Sequence, residues 1–131
     1  MRTQEQLPEC PVAVCVKLIG SKWKLLIMRN LLARPWRFNE LLRSLEGVSR
    51  KVLTESLRSM ENDGIVERID LSQSIPHVEY RLTSLGESMR PILMSMQDWG
   101  EQYAAERLRE EREHGSSGND EAEAFDPQIQ G

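Results

Sequence analysis

The sequence between residues 38 and 83 changes its hydrophobic period twice, and this change restricts the fold more than any other feature. Phe38 to Leu45 predicts a short helix, and Glu46-Gly47 predicts a turn. Ser49 then caps a longer predicted helix, which Gly64 closes. A short helix, a tight turn and a longer helix together predict a helix-turn-helix unit.

The segment after Gly64 has the two-residue period of strands. Val66 to Leu71 and Val78 to Thr83 predict two strands, and in the second one apolar residues alternate with charged ones. Ser72 to His77 is a polar loop between them. This pattern predicts a β-hairpin, the wing of a winged helix-turn-helix.

Helices are predicted on both sides of this unit. Pro11 to Ile19 and Trp23 to Ala33 precede it, and Ser84 to Arg112 follows it as one long helix capped by Thr83, with a kink expected at Pro91. The apolar stripe of the last helix is longer than one small domain can cover, which indicates a dimer interface. The predicted fold is therefore mostly α with a small β-hairpin wing, and its terminal helices mediate dimerisation.

The charge is unevenly distributed along the chain. The net charge is -4, yet residues 1–60 hold 11 Lys and Arg against 5 Asp and Glu, whereas residues 113–131 hold 5 acids and no Lys or Arg. We therefore expect a flexible N-terminus at 1–9, a folded domain at 10–112 and a disordered acidic tail at 113–131. The basic half predicts an anionic partner, duplex DNA.

Several other classes of protein are not favoured by the sequence. No apolar run is long enough to span a membrane, and residues 1–9 lack the apolar stretch of a signal peptide, so we expect a cytoplasmic protein without a membrane partner. Cys10, Cys15, His77 and His114 lack the paired spacing of a metal site. No Gly-rich phosphate loop and no nucleophile with a nearby base is apparent, so we predict no cofactor and no enzyme activity.

The longer helix of the motif has one polar face and one apolar face. Taking 100° per residue, Leu53, Ser56, Leu57 and Met60 share the packing face. The opposite, polar face holds Lys51, Thr54, Glu55, Arg58 and Asn62. A polar helix face opposite a core face is by default exposed to solvent, but the predicted wing places a second polar element beside it. The predicted DNA contacts are Arg37, Ser49, Arg50, Lys51, Thr54, Glu55, Arg58, Ser74 and His77.

Several motifs in order carry a resemblance to a known family. They are Cys10-Pro11-Val12, Leu18-Ile19-Gly20-Ser21-Lys22-Trp23, Arg37-Phe38-Asn39-Glu40-Leu41, Val48-Ser49-Arg50-Lys51-Val52-Leu53-Thr54, Leu57-Arg58, Asp63-Gly64-Ile65-Val66-Glu67-Arg68, Val78-Glu79-Tyr80-Arg81-Leu82-Thr83 and Leu85-Gly86. The chain from Cys10 to about Tyr103 resembles the HxlR-type branch of the MarR-like winged-helix regulators.

That resemblance implies a dimeric repressor or activator of transcription. It implies recognition of DNA by the helix at 49–63, with the hairpin at 66–83 as the wing. The implied dimer contacts are Val12, Leu93, Met96, Trp99 and Tyr103. Two recognition helices in such a dimer lie about 34 Å apart, so the operator is expected to be a pseudo-palindrome.

Cys10 is a candidate sensor. It precedes Pro11 at a predicted helix start, where free N–H groups and the helix dipole favour the reactive thiolate. Some members of the resembled family use the matching cysteine to sense oxidants or electrophiles, and an electrophile or another small molecule would then be the inducer. A small buried side chain is the commoner role of such a cysteine. Cys15 is expected in the core.

Two alternatives remain open from the sequence alone. A winged helix can mediate protein–protein assembly without binding DNA, because the same fold serves both uses. A constitutive DNA binder, with no redox or ligand input, is equally consistent with the motif.

Overall fold

A computed structural model describes residues 6–114 of the chain. Residues 1–5 of the expected flexible N-terminus and residues 115–131 of the expected acidic tail lie outside the described residues. The elements follow in the order α1 (Pro11–Ile19), α2 (Lys22–Ala33), β1 (Trp36–Arg37), α3 (Phe38–Ser44), α4 (Arg50–Asn62), β2 (Val66–Asp70), β3 (Val78–Leu82), α5 (Ser84–Glu87) and α6 (Arg90–Glu113). The prediction of a mostly helical protein with a small β wing is confirmed.

The sheet has three antiparallel strands in the order β1-β3-β2. The predicted hairpin is formed by β2 and β3, with Val66 opposite Leu82 and Asp70 opposite Val78. Strand β1 adds Trp36 opposite Tyr80 on the other edge of β3. The sequence analysis did not predict β1, because two residues are too few to show a two-residue period.

The core lies between α2, α3, α4 and the hairpin. Helix α2 contributes Ile27 and Met28, both with no exposed surface. The other fully enclosed apolar side chains come from α3, the turn after it, α4 and the start of the hairpin: Leu41, Leu45, Leu53, Leu57, Met60, Ile65 and Val66. Every element of the helix-turn-helix therefore packs on one shared core, which fixes the relative positions of α3 and α4.

The single long helix predicted from Ser84 to Arg112 is wrong, because the chain forms α5 and then α6. The hydroxyl of Thr83 accepts a hydrogen bond from the N–H of Gly86 and caps only the short α5. Proline lacks a backbone N–H and is tolerated in the first turn of a helix, where Pro91 stands as the second residue of α6. Pro91 therefore marks a helix start and not a kink.

The chain divides into two compact units, and the boundary between them in the sequence falls between Arg90 and Pro91. The first unit holds the helix-turn-helix and the wing. In the second, α6 continues to Glu113, one residue beyond the expected end of the folded domain.

Helix α1 is mostly uncovered. Of its nine residues only Ile19 is buried, while Val12 is 71% exposed. Cys15 is exposed, so its expected place in the core is wrong. The residue type favours burial, but it does not determine which face of α1 carries the side chain.

Candidate nucleic-acid interface

Helix α4 begins at a well-formed cap. The hydroxyl of Ser49 accepts a hydrogen bond from the N–H of Val52 at 3.1 Å, which satisfies one of the free donors of the first turn. Ser49, Arg50 and Lys51 are all exposed at this end. The helix therefore presents two cations and a hydroxyl at the end where its dipole also favours anions.

The two faces of α4 separate as their periodicity predicts. Leu53, Leu57 and Met60 are buried, together with Ser56. On the other side Glu55 and Arg58 are exposed, and Thr54 is half-buried. Apart from the half-buried Thr54, the polar face is exposed, and it follows the helix for about two turns from its start.

The turn between α3 and α4 depends on a glycine. Gly47 has a φ of 95°, in the left-handed region that side chains with a Cβ rarely adopt. A Cβ built there would meet only the ring of Trp23, at 3.8 Å, so the glycine is required by the backbone and not by lack of space. Across the turn, the guanidinium of Arg50 lies 5.4 Å from the ring centre of Phe38.

Arg37 joins the wing to the helix-turn-helix. It stands immediately before α3, and its Nη2 donates to the carbonyl oxygen of Pro76 at 3.1 Å. Ser74 is exposed in the same loop. His77 Nε2 lies 2.8 Å from Oε2 of Glu79, so the ring is paired with a carboxylate in the free protein. The structure brings Arg37 and the wing residues together, at the entrance to α3.

The wing loop is held by hydrogen bonds across its neck. The N–H of Leu71 donates to the oxygen of His77 at 2.7 Å, and the N–H of His77 donates to Oγ of Ser72 at 2.8 Å. The N–H of Ser72 donates to Oδ1 of Asp70 at 2.9 Å. The hydroxyl and the N–H of Ser72 lower the pKa of Asp70, so this carboxylate remains charged and keeps accepting.

The carboxylate of Glu40 binds the residues that precede α3. Its Oε1 accepts the N–H of Arg37 at 3.0 Å and also receives Nη1 of Arg34 at 3.3 Å. The hydrogen bond from the Arg37 backbone lowers the pKa of Glu40, and the Arg34 guanidinium adds to the effect. Arg34 in turn stacks over Trp36, 3.7 Å from the ring centre. This arrangement fixes the direction in which the chain enters the helix-turn-helix.

Asn30 was missed by the sequence analysis. It is only 7% exposed, and its Oδ1 accepts from Nε and Nη2 of Arg29 at 3.1 and 3.0 Å. Its Nδ2 donates to the hydroxyl of Ser44 at 3.1 Å, and its backbone oxygen accepts the indole N–H of Trp36 at 2.9 Å. One buried amide thus ties α2 to the end of α3. The available signal was a lone asparagine within the apolar stretch of α2.

A family model with the description HxlR-like helix-turn-helix matches residues 18–108, which is most of the chain. The chain belongs to the HxlR-like helix-turn-helix family. The resemblance drawn from the sequence motifs is therefore confirmed. The match includes α2, the helix-turn-helix, the wing and most of α6.

Relatives and solved structures agree with HxlR-like membership. The HTH-type transcriptional regulator YdeP of Bacillus subtilis (strain 168) is 38% identical over 94 residues, covering 72% of this chain and 73% of YdeP. The redox regulator HypR in its oxidised form is 40% identical with a TM-score of 0.68, covering 71% of this chain and 96% of HypR. A protein of Enterococcus faecalis V583 assigned to the MarR family of transcriptional regulators is 35% identical with a TM-score of 0.67. The match covers 83% of this chain and 99% of the Enterococcus protein.

These relatives are transcription regulators, which is a non-enzymatic role. Among residues 6–114 of this HxlR-like chain, no group of three metal-ligating side chains is found. Within the same residues, no helix is both long and apolar enough to cross a membrane.

Proposed function

We propose that this protein is a transcription regulator that binds duplex DNA sequence-specifically as a homodimer. The observation that carries the proposal is the exposed polar face at the start of α4, with Arg50, Lys51 and Arg58 opposite a fully buried face. The major groove of B-DNA, about 12 Å wide, admits one such helix. Membership of a helix-turn-helix family favours DNA over the alternative of a protein–protein assembly module.

Within this proposal the contacts divide by chemistry. Arg50, Lys51 and Arg58 donate to guanine or phosphate, Thr54 contacts a thymine methyl or a phosphate, and Glu55 accepts from cytosine. Ser49 contributes its hydroxyl to the phosphate at the helix start. Arg37, just ahead of α3, and the wing residues Ser74 and His77 contact flanking phosphates.

The test is selection of duplexes from a random pool, followed by titration of the selected duplex by fluorescence anisotropy. Arg50→Ala and Arg58→Ala are each expected to weaken binding by about tenfold or more. Arg109→Ala removes the same charge from an ion pair on α6, where Arg109 is 65% exposed, and is expected to leave affinity unchanged. If the wild-type protein binds no duplex above non-specific competitor at low salt, the assembly module replaces the proposed function.

The homodimer is proposed from exposed apolar side chains on two helices. Val12 of α1 is 71% exposed, and on α6 Trp99 and Met96 are 64% and 46% exposed. Tyr103 stacks on Trp99 with ring centres 5.3 Å apart, which makes one continuous aromatic surface. Leu93 has only 9% of its surface left to offer a partner. Isologous contact between two copies gives the operator its pseudo-palindromic symmetry.

Light scattering on the eluting protein tests the dimer. The expected mass is twice the 15.1 kDa of one chain, and Trp99→Glu is expected to shift it toward one chain and to weaken operator binding together. Leu85→Glu, at an equally accessible apolar position of α5, is the matched control and is expected to remain dimeric. A wild-type protein that elutes as a single chain would refute the homodimer.

A redox input at Cys10 is the regulatory part of the proposal. Cys10 is exposed and stands at the N-cap of α1, with its side chain making no cap hydrogen bond. The solved relative HypR is a redox regulator. An oxidant such as diamide would take two electrons and two protons from two Cys10 thiols of a dimer, forming one disulfide while its N=N bond is reduced to the hydrazine. An electrophile such as methylglyoxal would instead add to a single thiolate.

The control for Cys10 lies in the same helix. Cys15 is exposed as well, so Cys15→Ser matches Cys10→Ser in chemistry and accessibility. We expect diamide to change the operator affinity of the wild type and of Cys15→Ser, and not that of Cys10→Ser. Operator binding that neither diamide nor methylglyoxal changes would identify a constitutive DNA binder without a thiol switch.

A further inference from the structure

The loop at the tip of the wing carries an exposed isoleucine. Ile75 is 72% exposed, the highest value among the large apolar side chains of the described residues. The six residues of the loop, Ser72 to His77, include no Lys, Arg, Asp or Glu. With most of its surface exposed, Ile75 contributes little to the core.

The loop that carries Ile75 is closed by hydrogen bonds at its neck. The neck of the loop is closed by the hydrogen bonds of Leu71 and Ser72 with His77. Pro76 follows directly, and a residue before proline is restricted to extended backbone. These two restrictions reduce the conformational entropy that the loop loses when it binds a partner.

The tip is attached to the DNA-binding unit. Arg37 Nη2 donates to the oxygen of Pro76 at 3.1 Å, and Arg37 is the residue from which α3 starts. The loop has no Lys or Arg of its own, but the guanidinium of Arg37 in β1 lies against it. Arg37 also lines the shallow depression beside Ile75, together with Leu71 and Gln73.

We propose that Ile75 is an apolar contact to the minor groove of duplex DNA, flanking the site that α4 reads. This inference rests on the proposed function. Apolar wedges such as isoleucine contact the sugars and the groove floor, and they spread flexible base steps. The amino group of guanine projects into this groove, so an apolar tip prefers A·T pairs. The wing would thus read groove shape through Ile75, with Arg37 contributing the phosphate contact.

The test uses the full-length protein and the duplex that the wild type selects from a random pool. Ile75→Ala is expected to bind this duplex about five- to tenfold more weakly, because one buried aliphatic side chain is lost. The slope of affinity against salt concentration stays unchanged, because no charge is removed. Ile75→Leu is expected to restore binding to within about twofold, and Leu85→Ala is the matched control outside the wing. At 72% exposure Ile75→Ala should unfold at the wild-type temperature.

The groove is identified by a base analogue. Replacing adenine by 2,6-diaminopurine in the flanks adds an amino group to the minor groove and leaves the major-groove edge intact. The wild type should lose about the same five- to tenfold on this duplex as Ile75→Ala loses on the normal one, whereas Ile75→Ala should not lose further affinity.

The outcomes separate the two proposals. If Ile75→Ala binds as the wild type does, or if the analogue leaves wild-type binding unchanged, the minor-groove contact is refuted while the DNA-binding function stands. If the wild type selects no duplex, the proposed function itself has failed.

Discussion

At the scale of single residues, Asn30 shows how a buried polar group can orient the motif. Its side chain bonds both Arg29 and Ser44, so it connects α2 to the end of α3. Asn30 itself is only 7% exposed, whereas its partners Arg29 and Ser44 are both exposed. A hydrogen bond between a buried amide and exposed partners stabilises the fold modestly, because the partners can bind water when it is removed.

Asn30→Ala is therefore expected to lower the free energy of unfolding by about 0.5–1.5 kcal/mol, because the hydrogen bonds of the Asn30 amide with Arg29 and Ser44 are lost. Urea unfolding measures the change. Asn39→Ala is the matched control, since Asn39 is exposed on α3. Equal losses in the two variants would show that the buried amide contributes no more than a surface one.

Ser49 combines two roles that one substitution can separate. Aspartate also caps a helix and interacts well with the helix dipole, so Ser49→Asp is expected to keep the free energy of unfolding within about 0.5 kcal/mol of the wild type. Its negative charge would face DNA phosphate, so operator affinity should fall by about tenfold or more. Ser49→Ala has the opposite profile, losing about 1 kcal/mol of stability through the lost cap. If Ser49→Asp binds the operator as the wild type does, the start of α4 does not lie against DNA phosphate.

At the scale of secondary-structure elements, the entry to α3 depends on a carboxylate. The N–H of Arg37 and the guanidinium of Arg34 hold the pKa of Glu40 below its ordinary value of 4.5. A carboxyl group whose pKa is lower in the folded state stabilises the fold above its unfolded pKa. This stabilisation is lost as the pH falls below about 4.5 and through the lower folded pKa.

Glu40→Gln is expected to make unfolding less dependent on pH in this acidic range. The wild type should be the more stable at pH 7, and the difference should shrink as acid protonates Glu40. Thermal unfolding at a series of pH values measures it, with exposed Glu55→Gln on α4 as the control. A difference between wild type and Glu40→Gln that stays constant from neutral to acid pH would contradict the assigned cause.

The elements that the sequence predicted correctly are those with local signals. The cap at Ser49 and the glycine turn at Gly47 each act over a few residues, and both are present in the structure. Strand β3 forms where the sequence alternates, although Val78, Glu79 and Tyr80 are all half-buried. What was missed depends on distant partners or on short lengths. Strand β1 exists through pairing with β3, and α5 is only four residues long, ending where the N–H of the C-cap residue Ser88 donates to the oxygens of Ser84 and Leu85.

The same distinction applies to the candidate interface. Helical periodicity was sufficient to assign the exposed and buried sides of α4. The bond from Arg37 to Pro76 spans 39 residues of sequence, and no local pattern could predict it. The exposure of Cys15 was missed because residue type alone does not reveal whether another element covers a helix.

At the scale of the whole molecule, an acidic protein is proposed to bind a polyanion. The net charge of -4 repels DNA at long range, while the cations that would meet phosphate are concentrated in the first half of the chain. Local contact, and not net charge, sets how many counterions are released on binding. Each phosphate neutralised adds about -0.9 to the slope of log affinity against log salt.

Operator affinity is therefore expected to fall steeply with salt despite the acidic isoelectric point of about 5.3. Lys51→Ala removes one phosphate contact from each protomer. The slope should therefore become shallower by about 0.9 for each protomer, which is about 1.8 for a dimer. Arg109→Ala, which removes a cation of α6, should leave the slope unchanged although it alters net charge equally. If both variants change the slope by the same amount, the long-range field of the molecule determines binding, and the start of α4 is not where the phosphates lie.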